Sequence, residues 1–164
     1  MPVPALEPWV AWRTAQYDAA WVSDDPAFAH AHVTVLAPFP VDRTDVAARV
    51  ARGVPPFSYR LARIGVFPDG VIHAVPEPAD GFRALTDACR AALPDVAPYW
   101  GRVPDPTPHV TLDRVGEGVS AASTRALLGA ALPASCRADS LVLTWWEAGA
   151  CRVLERFELG RWAH

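Results

Sequence analysis

Lysine is absent from this 164-residue chain, and all fifteen basic residues are arginine. The formal net charge is -3 and the arginines form no run, so the sequence lacks the basic stripe with which a protein follows the phosphates of a duplex. Long apolar runs are also missing, because Pro, Arg, Asp or His interrupts every stretch that approaches the ~20 residues of a membrane span. We therefore expect a protein that binds neither duplex nucleic acid nor a membrane.

Cysteine pairs are lacking as well. Cys89, Cys136 and Cys151 form an odd, widely spaced set without a Cys-x-x-Cys pair, which is typical of buried thiols in a reduced protein. The first eight residues contain three prolines and a glutamate, so we expect no export signal, which would have a basic segment followed by an apolar one. These absences predict a cytoplasmic location.

Size and composition favour one domain over residues 1–164. With 51% hydrophobic residues, the chain can bury an ordinary core without disulfide or metal staples. Seventeen prolines are scattered rather than clustered, so no segment has the composition of a long linker. We expect a monomer.

Periodicity between the Pro and Gly positions divides much of the chain into two similar units, residues 31–75 and 108–159. Each unit has a strand, then a helix, then a hairpin. In the first unit these elements are predicted at Ala31–Leu36, Asp42–Val50, Phe57–Val66 and Val71–Val75. In the second unit they are predicted at His109–Arg114, Ser120–Leu132, Ser140–Trp146 and Cys151–Leu159. The two halves therefore resemble one motif used twice.

Two further elements lie outside these units. Between them, the apolar stripe of Gly81–Leu93 predicts a helix that Asp80 caps. Ahead of the first unit, the aromatic segment Trp9–Arg13 is interpreted as a strand. Helices and antiparallel hairpins together indicate an α+β protein.

A shared signature occupies the first strand of each unit: His32-Val33-Thr34-Val35 in one and His109-Val110-Thr111-Leu112 in the other. Two chance His-x-Thr pairs in a chain of this composition have a probability on the order of a few per cent. Their matching positions in a repeat make the signal more specific.

The signature also suggests a chemistry. Side chains two residues apart in a strand point to the same face, about 6.7 Å apart along it, so each His lies beside its Thr while the apolar residues face the core. Pairing the two strands about a pseudo-twofold axis would bring two imidazoles and two hydroxyls around one cavity. Hydroxyls can donate to the non-bridging oxygens of a phosphate, and the imidazoles can act as base and acid on opposite sides of phosphorus.

The paired motifs, with Pro38-Phe39 after the first, resemble the two-histidine (2H) phosphoesterase superfamily and its 2′-5′ RNA ligase-like branch. The resemblance covers nearly the whole chain and implies a bilobal, pseudo-twofold α+β fold in which two antiparallel sheets line a central cleft and helices lie outside. It implies a metal-independent enzyme without a cofactor. The substrate would be a 2′,3′-cyclic phosphate or a 2′-5′ phosphodiester of an RNA end or small nucleotide. The implied catalytic residues are His32, Thr34, His109 and Thr111.

Four more residues are candidates for binding substrate. By the resemblance, Arg114 matches a basic residue that contacts the substrate. Simple alternation would turn it to the core side, so this role requires a bulge or an early end of the strand. Phe39, Tyr99 and Trp100 lie close to the motifs in sequence and are candidates for stacking on a base, although packing is an equal alternative.

Two other functions compete with this interpretation. His32, His109 and a carboxylate such as Asp113 would be the ligands of a metal site, although the sequence has no third dedicated ligand nearby. A non-catalytic module that binds a nucleotide or phosphate is the other alternative, but it would not need both an acid and a base. Of the remaining histidines, His30 is expected at the rim of the site, and His73 and His164 have no partner that suggests a function.

Overall fold

Four α-helices and six strands form an α+β fold in residues 1–103 and 105–160, the part of the chain that the computed structural model describes. The helices are α1 (Glu7–Tyr17), α2 (Thr44–Gly53), α3 (Asp80–Ala92) and α4 (Ala121–Leu128). The strands are β1 (Phe57–Val66), β2 (Val71–Glu77), β3 (Val110–Arg114), β4 (Ala134–Ala138), β5 (Ser140–Trp145) and β6 (Arg152–Glu158). None of the described helices is long and apolar enough to cross a membrane.

The strands form two antiparallel sheets. One has four strands in the order β3-β2-β1-β4, and the other is the hairpin of β5 and β6. Both predicted hairpins are present, because each pair of alternating runs is separated by turn residues that let the chain reverse. The α+β class and the two antiparallel sheets are confirmed.

The predicted helices also form, with small shifts at their ends. α2 and α3 each bury one apolar face, which in α3 contains Phe82, Leu85 and Cys89. Asp80 is the first residue of α3 rather than its cap, a position where a carboxylate still favours the helix dipole. Ser120 caps α4 as expected by accepting a hydrogen bond from the Ser123 backbone nitrogen at 3.1 Å.

The interpretation of Trp9–Arg13 as a strand is wrong, since this segment lies in α1. Glu7 and Pro8 begin the helix with an acidic residue and a proline, both favourable in a first turn. Only Val10 of this helix is fully buried, so the aromatic residues around it gave no clear helical stripe.

The first motif segment is less regular than predicted. In place of a strand across Ala31–Leu36, the chain forms isolated antiparallel bridges between Pro2 and His32 and between Val33 and Val110. The segment is held by backbone hydrogen bonds at its start, including Val33 N to Met1 O at 2.8 Å. It therefore lies beside the start of β3 without joining a long ladder.

The core lies between the sheets and the helices and contains both motif valines, Val33 and Val110, neither of which has exposed surface. Leu112 is buried as predicted. Cys89 is also in the core, where burial raises the pKa of its thiol to about 11. The three cysteines are free.

Candidate active site

The bridge between Val33 and Val110 joins the two motif segments directly in antiparallel orientation. Stepping one residue along each chain from this bridge brings Thr111 across from His32 and His109 across from Thr34. Both valines point into the core, so these four polar side chains share the opposite face. The two imidazoles then lie on a diagonal of this face, for which antiparallel pairs give a spacing of about 7–8 Å between backbones.

The two imidazoles are oriented by the same kind of hydrogen bond. Nδ1 of His32 lies 2.8 Å from the carbonyl oxygen of His30, and Nδ1 of His109 lies 2.7 Å from that of Thr107. A carbonyl oxygen only accepts, so Nδ1 carries the hydrogen in each ring. Nε2 of each neutral ring is thereby left as the acceptor. The two motifs thus present the same nitrogen in the same tautomer.

His32 lies in apolar surroundings. Its ring centroid is 5.2 Å from that of Trp146, which also contacts Phe28 at 4.7 Å. Burial lowers the pKa of His32 to about 4, and the positive charges of the Met1 amino group and of His109 add to this effect. The ring is therefore neutral at neutral pH.

His109 packs against a different pair of rings. Phe67 and His73 stack on each other at 3.8 Å between centroids, and His109 lies nearly perpendicular to both, at 4.9 Å and 5.5 Å respectively. His73, for which the sequence indicated no partner that suggests a function, lies across from Thr111 in the register of β2 on β3. The contact follows from the pairing of β2 with β3, which alternation within one strand does not predict.

Thr34 contacts the loop that carries Tyr99 and Trp100. Burial raises the pKa of Tyr99, and a hydrogen bond with the Thr34 side chain opposes the rise. Tyr99 and Trp100 both have left-handed backbone conformations, with φ of 50° and 56°, which are strained for residues other than glycine. Trp100 is thereby turned outward and is 71% exposed.

Arg114 is returned to the exposed side of β3 by a β-bulge. His73 pairs with Thr111 and Ile72 pairs with Asp113, so Leu112 is an extra residue in β3. Leu112 and Asp113 are both buried, whereas Thr111 and Arg114 are both exposed. The bulge required for the predicted role of Arg114 is therefore present. In the structure its guanidinium donates to the carbonyl oxygen of Asp69 at 2.8 Å.

The carboxylate of Asp113 binds side chains other than the two motif imidazoles. Its carboxylate accepts two hydrogen bonds from Arg13, at 3.0 and 3.1 Å, and others from Tyr17 and Thr124. Its lone pairs are thus used by donors, which does not fit the metal-ligand role considered above. Among the described residues, no group of three or more His, Cys, Asp or Glu side chains is placed to hold a metal ion.

His30 is buried rather than at the rim, which corrects the expectation. Its Nδ1 lies 2.7 Å from the Glu7 carboxylate, and its Nε2 accepts from the backbone nitrogen of Ser23 at 3.1 Å. Both nitrogens are used within the protein, so His30 anchors the start of the first motif. His164 lies outside the described residues.

A cavity of about 500 Å³ opens beside His32 and Thr34. Its walls are mainly apolar and come from the first motif segment and from β5. Phe39, Trp100 and Trp146 contribute aromatic rings to it. His109 and Thr111 do not line this cavity, so the two halves of the candidate site have different surroundings.

Comparison with known proteins agrees with the resemblance seen in the motifs. The model of the 2′-5′ RNA ligase superfamily matches residues 2–150. Among curated proteins, no sequence matches this chain significantly.

Solved structures show a similar fold. TT0787 of Thermus thermophilus superposes with a TM-score of 0.56 and 23% identity, over 92% of each chain. E. coli LigT complexed with 3′-AMP superposes with a TM-score of 0.58 and 17% identity, over 98% of this chain and 95% of LigT. E. coli LigT complexed with NADP+ gives a TM-score of 0.55 at 17% identity, over 98% and 94%.

Proposed function

Because this chain belongs to the 2′-5′ RNA ligase superfamily, we propose that it is a metal-independent phosphoesterase whose catalytic residues are His32, Thr34, His109 and Thr111. The substrate is a 2′,3′-cyclic phosphate or a 2′-5′ phosphodiester of an RNA end or small nucleotide. One observation carries this proposal: two imidazoles on one face, each with Nδ1 held by a carbonyl oxygen and Nε2 left for proton transfer.

The geometry supports an in-line displacement at phosphorus. The neutral imidazole takes a proton from the attacking water through Nε2, and the new bond forms between that oxygen and phosphorus. The second imidazole, protonated at Nε2, gives its proton to the leaving oxygen as the bond from phosphorus to that oxygen breaks. Thr34 and Thr111 donate hydrogen bonds to the non-bridging oxygens, where negative charge increases in the transition state.

The surroundings of the two imidazoles distinguish their roles. His32 has a pKa lowered to about 4 by burial, so it is neutral at neutral pH and suits the base. His109 then acts as the acid. A proton on His109 disfavours a proton on His32, so the two imidazoles are kept from being protonated together.

The cavity supports a nucleoside on the His32 side of the phosphate. A volume of about 500 Å³ lies within the usual range of small-molecule sites. Its aromatic residues Phe39, Trp100 and Trp146 provide flat surfaces on which a base can stack. LigT, which shares the fold, has been crystallised with 3′-AMP and with NADP+, and both of these ligands are nucleotides. We therefore propose a nucleotide or an RNA end as the ligand, with Arg114 and Tyr99 also near it.

The test is a substrate screen in the presence of EDTA. Purified protein is incubated with 2′,3′-cyclic, 3′,5′-cyclic and linear 2′-5′ substrates, and the products are identified by phosphorus NMR. We expect turnover of a 2′,3′-cyclic or 2′-5′ substrate, with the cyclic phosphate opened to a 2′-phosphate. Nucleotide binding without turnover would indicate that the protein is a nucleotide-binding module and not an enzyme. Activity that EDTA removes and a divalent ion restores would favour a metal enzyme instead.

A further inference from the structure

The environment of His109 contains a second imidazole that the proposed reaction does not use. His73 of β2 is 5% exposed and lies face to face with Phe67, with an interplanar angle of 15°. His109 meets this stacked pair at angles of 84° to Phe67 and 70° to His73. Phe67 directly follows β1 and His109 directly precedes β3, so three neighbouring strands bring these rings into one compact cluster.

Gly65 makes room for this arrangement. It pairs with His73 across β1 and β2, and a Cβ atom built at Gly65 would lie 2.7 Å from Nε2 and 2.9 Å from Cε1 of His73. Both distances are shorter than carbon contacts in proteins allow. His73 can lie flat on the sheet only because residue 65 has no side chain.

The nitrogens of His73 are poorly placed for proton transfer. Nδ1 lies 3.3 Å from the Val71 carbonyl oxygen, and Nε2 lies against Gly65 rather than in the open site. The charged groups that face it are His109 and Asp69. Burial lowers the pKa of His73, which disfavours a proton on this ring.

We propose that His73, stacked on Phe67 in the space left by Gly65, is a positioning residue that fixes the ring of His109 for its reaction at phosphorus. The Thr107 carbonyl holds one nitrogen of His109, but a single hydrogen bond leaves the ring free to tilt. The perpendicular contact with two stacked rings removes that freedom. The effect of this positioning on catalysis rests on the proposed function. The contact between the rings does not depend on that function.

In this proposal His73 acts through its flat ring and not through its nitrogens. Replacements at this position can test the ring and the polar atoms separately. His73→Phe keeps an aromatic ring on Phe67 and is expected to retain most of kcat. His73→Gln keeps a polar group without a ring and is expected to lower kcat by about 10- to 100-fold, as misplacement of a catalytic group by about 1 Å does. KM should change by less than about threefold in both, because His73 does not touch the substrate. Equal loss in both variants would show that the imidazole nitrogens are needed and would overturn the proposal.

Gly65→Ala tests the same role with His73 unchanged. The added methyl group displaces the His73 ring, so we expect the same loss in kcat as in His73→Gln. Gly53→Ala is the matched control, since a Cβ atom there meets nothing within 4 Å. Normal kcat in Gly65→Ala, with its unfolding temperature showing an intact fold, would also overturn the proposal.

A second measurement is independent of any activity. Nitrogen-15 NMR of the imidazoles, recorded at a pH at which His109 is neutral, reports its tautomer, which we expect to be fixed with the proton on Nδ1 in the native protein and in His73→Phe. In His73→Gln and Gly65→Ala, a mixture of tautomers is expected. If the native protein turns over no phosphoester but shows these changes, only the proposed function fails. An unchanged His109 spectrum in both variants would refute the positioning role.

Discussion

The imidazole of His32 lies against the indole of Trp146, with their ring centroids 5.2 Å apart. Trp146 is itself packed against Phe28, so two aromatic side chains keep water from one side of the first motif. The rings beside the second motif are different, because His109 meets Phe67 and a second histidine. The two half-sites therefore differ in polarity although their motifs match.

Removing the indole should make His32 easier to protonate. In Trp146→Ala, water reaches the imidazole, and we expect the pKa of His32 to rise from about 4 toward its ordinary value of 6.5. The acid limb of the pH profile of kcat/KM should move upward by the same amount, since the base must be neutral. NMR titration of the His32 ring proton measures the shift. Trp12→Ala, which changes an exposed tryptophan on α1, is the control, and an identical His32 titration in both variants would contradict the shielding role of Trp146.

The protein should become less stable at acidic pH because of His32. The folded pKa of His32, about 4, lies below the ordinary 6.5, so between these values the unfolded chain binds more protons than the folded one. The free energy of unfolding therefore decreases as pH falls from 6.5 to 4, by at most about 1.4 kcal/mol per pH unit from this residue. Urea unfolding at several pH values measures it. His32→Gln should reduce the slope in this window; an unaltered slope would assign it to other groups.

A buried ion pair joins α1 to β3. Arg13 donates two hydrogen bonds to Asp113, whose side chain is 1% exposed, and Tyr17 and Thr124 donate to the same carboxylate. Burial alone would raise the pKa of Asp113, but these hydrogen bonds outweigh it and lower the pKa. Arg13→Ala leaves a buried carboxylate without its cation and should destabilise the protein by about 3 kcal/mol.

The control for this prediction is an exposed pair of an arginine and a carboxylate. Arg63 also donates two hydrogen bonds to one partner, Glu77, but both side chains are about half or more exposed. Solvent screens this pair, so Arg63→Ala should leave the urea midpoint nearly unchanged. Equal urea midpoints for the Arg13 and Arg63 variants would mean that the burial of Asp113 does not increase the contribution of its ion pair to stability.

The four motif residues should differ in importance. His32→Ala and His109→Ala each remove a proton transfer, for which we expect losses of about 10² to 10⁴ in kcat. Thr34→Ala and Thr111→Ala remove one of several donors to the phosphate and should cost less. Rates are measured with EDTA present on the substrate found in the screen. A threonine variant slower than either histidine variant would reverse these roles.

Local sequence patterns predicted the motifs, the two hairpins and three of the helices, because each of these elements depends on the spacing of residues close together in the chain. The alternation of Phe57–Val66, for example, matches β1 residue for residue. β4 was not predicted, since Ala134–Ala138 has little strand propensity and forms by pairing with the long strand β1. α1 was misread because its aromatic residues are half-buried or exposed rather than arranged in one stripe.

The surroundings of the motif histidines were less accessible from sequence. The contact of His73 with His109 depends on the register of β2 on β3, and that register contains a bulge at Leu112. The contact of Trp146 with His32 joins residues far apart in the chain. Alternation within one strand determines which side chains share a face, but it does not determine which other strand lies opposite.

The exposed indole of Trp100 is expected to contribute to substrate binding rather than to chemistry. It lines the cavity beside His32 and is held outward by the left-handed backbone at Tyr99 and Trp100, where the Tyr99 nitrogen donates to the Ala37 carbonyl at 2.6 Å. Stacking of an aromatic ring on a base contributes about 1–3 kcal/mol, so Trp100→Ala should raise KM by about 5- to 160-fold with little change in kcat.

The comparison with Trp100→Phe distinguishes stacking from a structural effect. A phenyl ring still stacks on a base, so KM should recover most of the way toward the native value. Trp12→Ala again serves as the control, because this indole is 46% exposed on α1 and does not line the cavity. A substrate without a base, such as a cyclic ribose phosphate, should have nearly the same KM with the native protein and with Trp100→Ala. If the loss in Trp100→Ala were the same for that substrate, the tryptophan would be shaping the loop rather than holding a base.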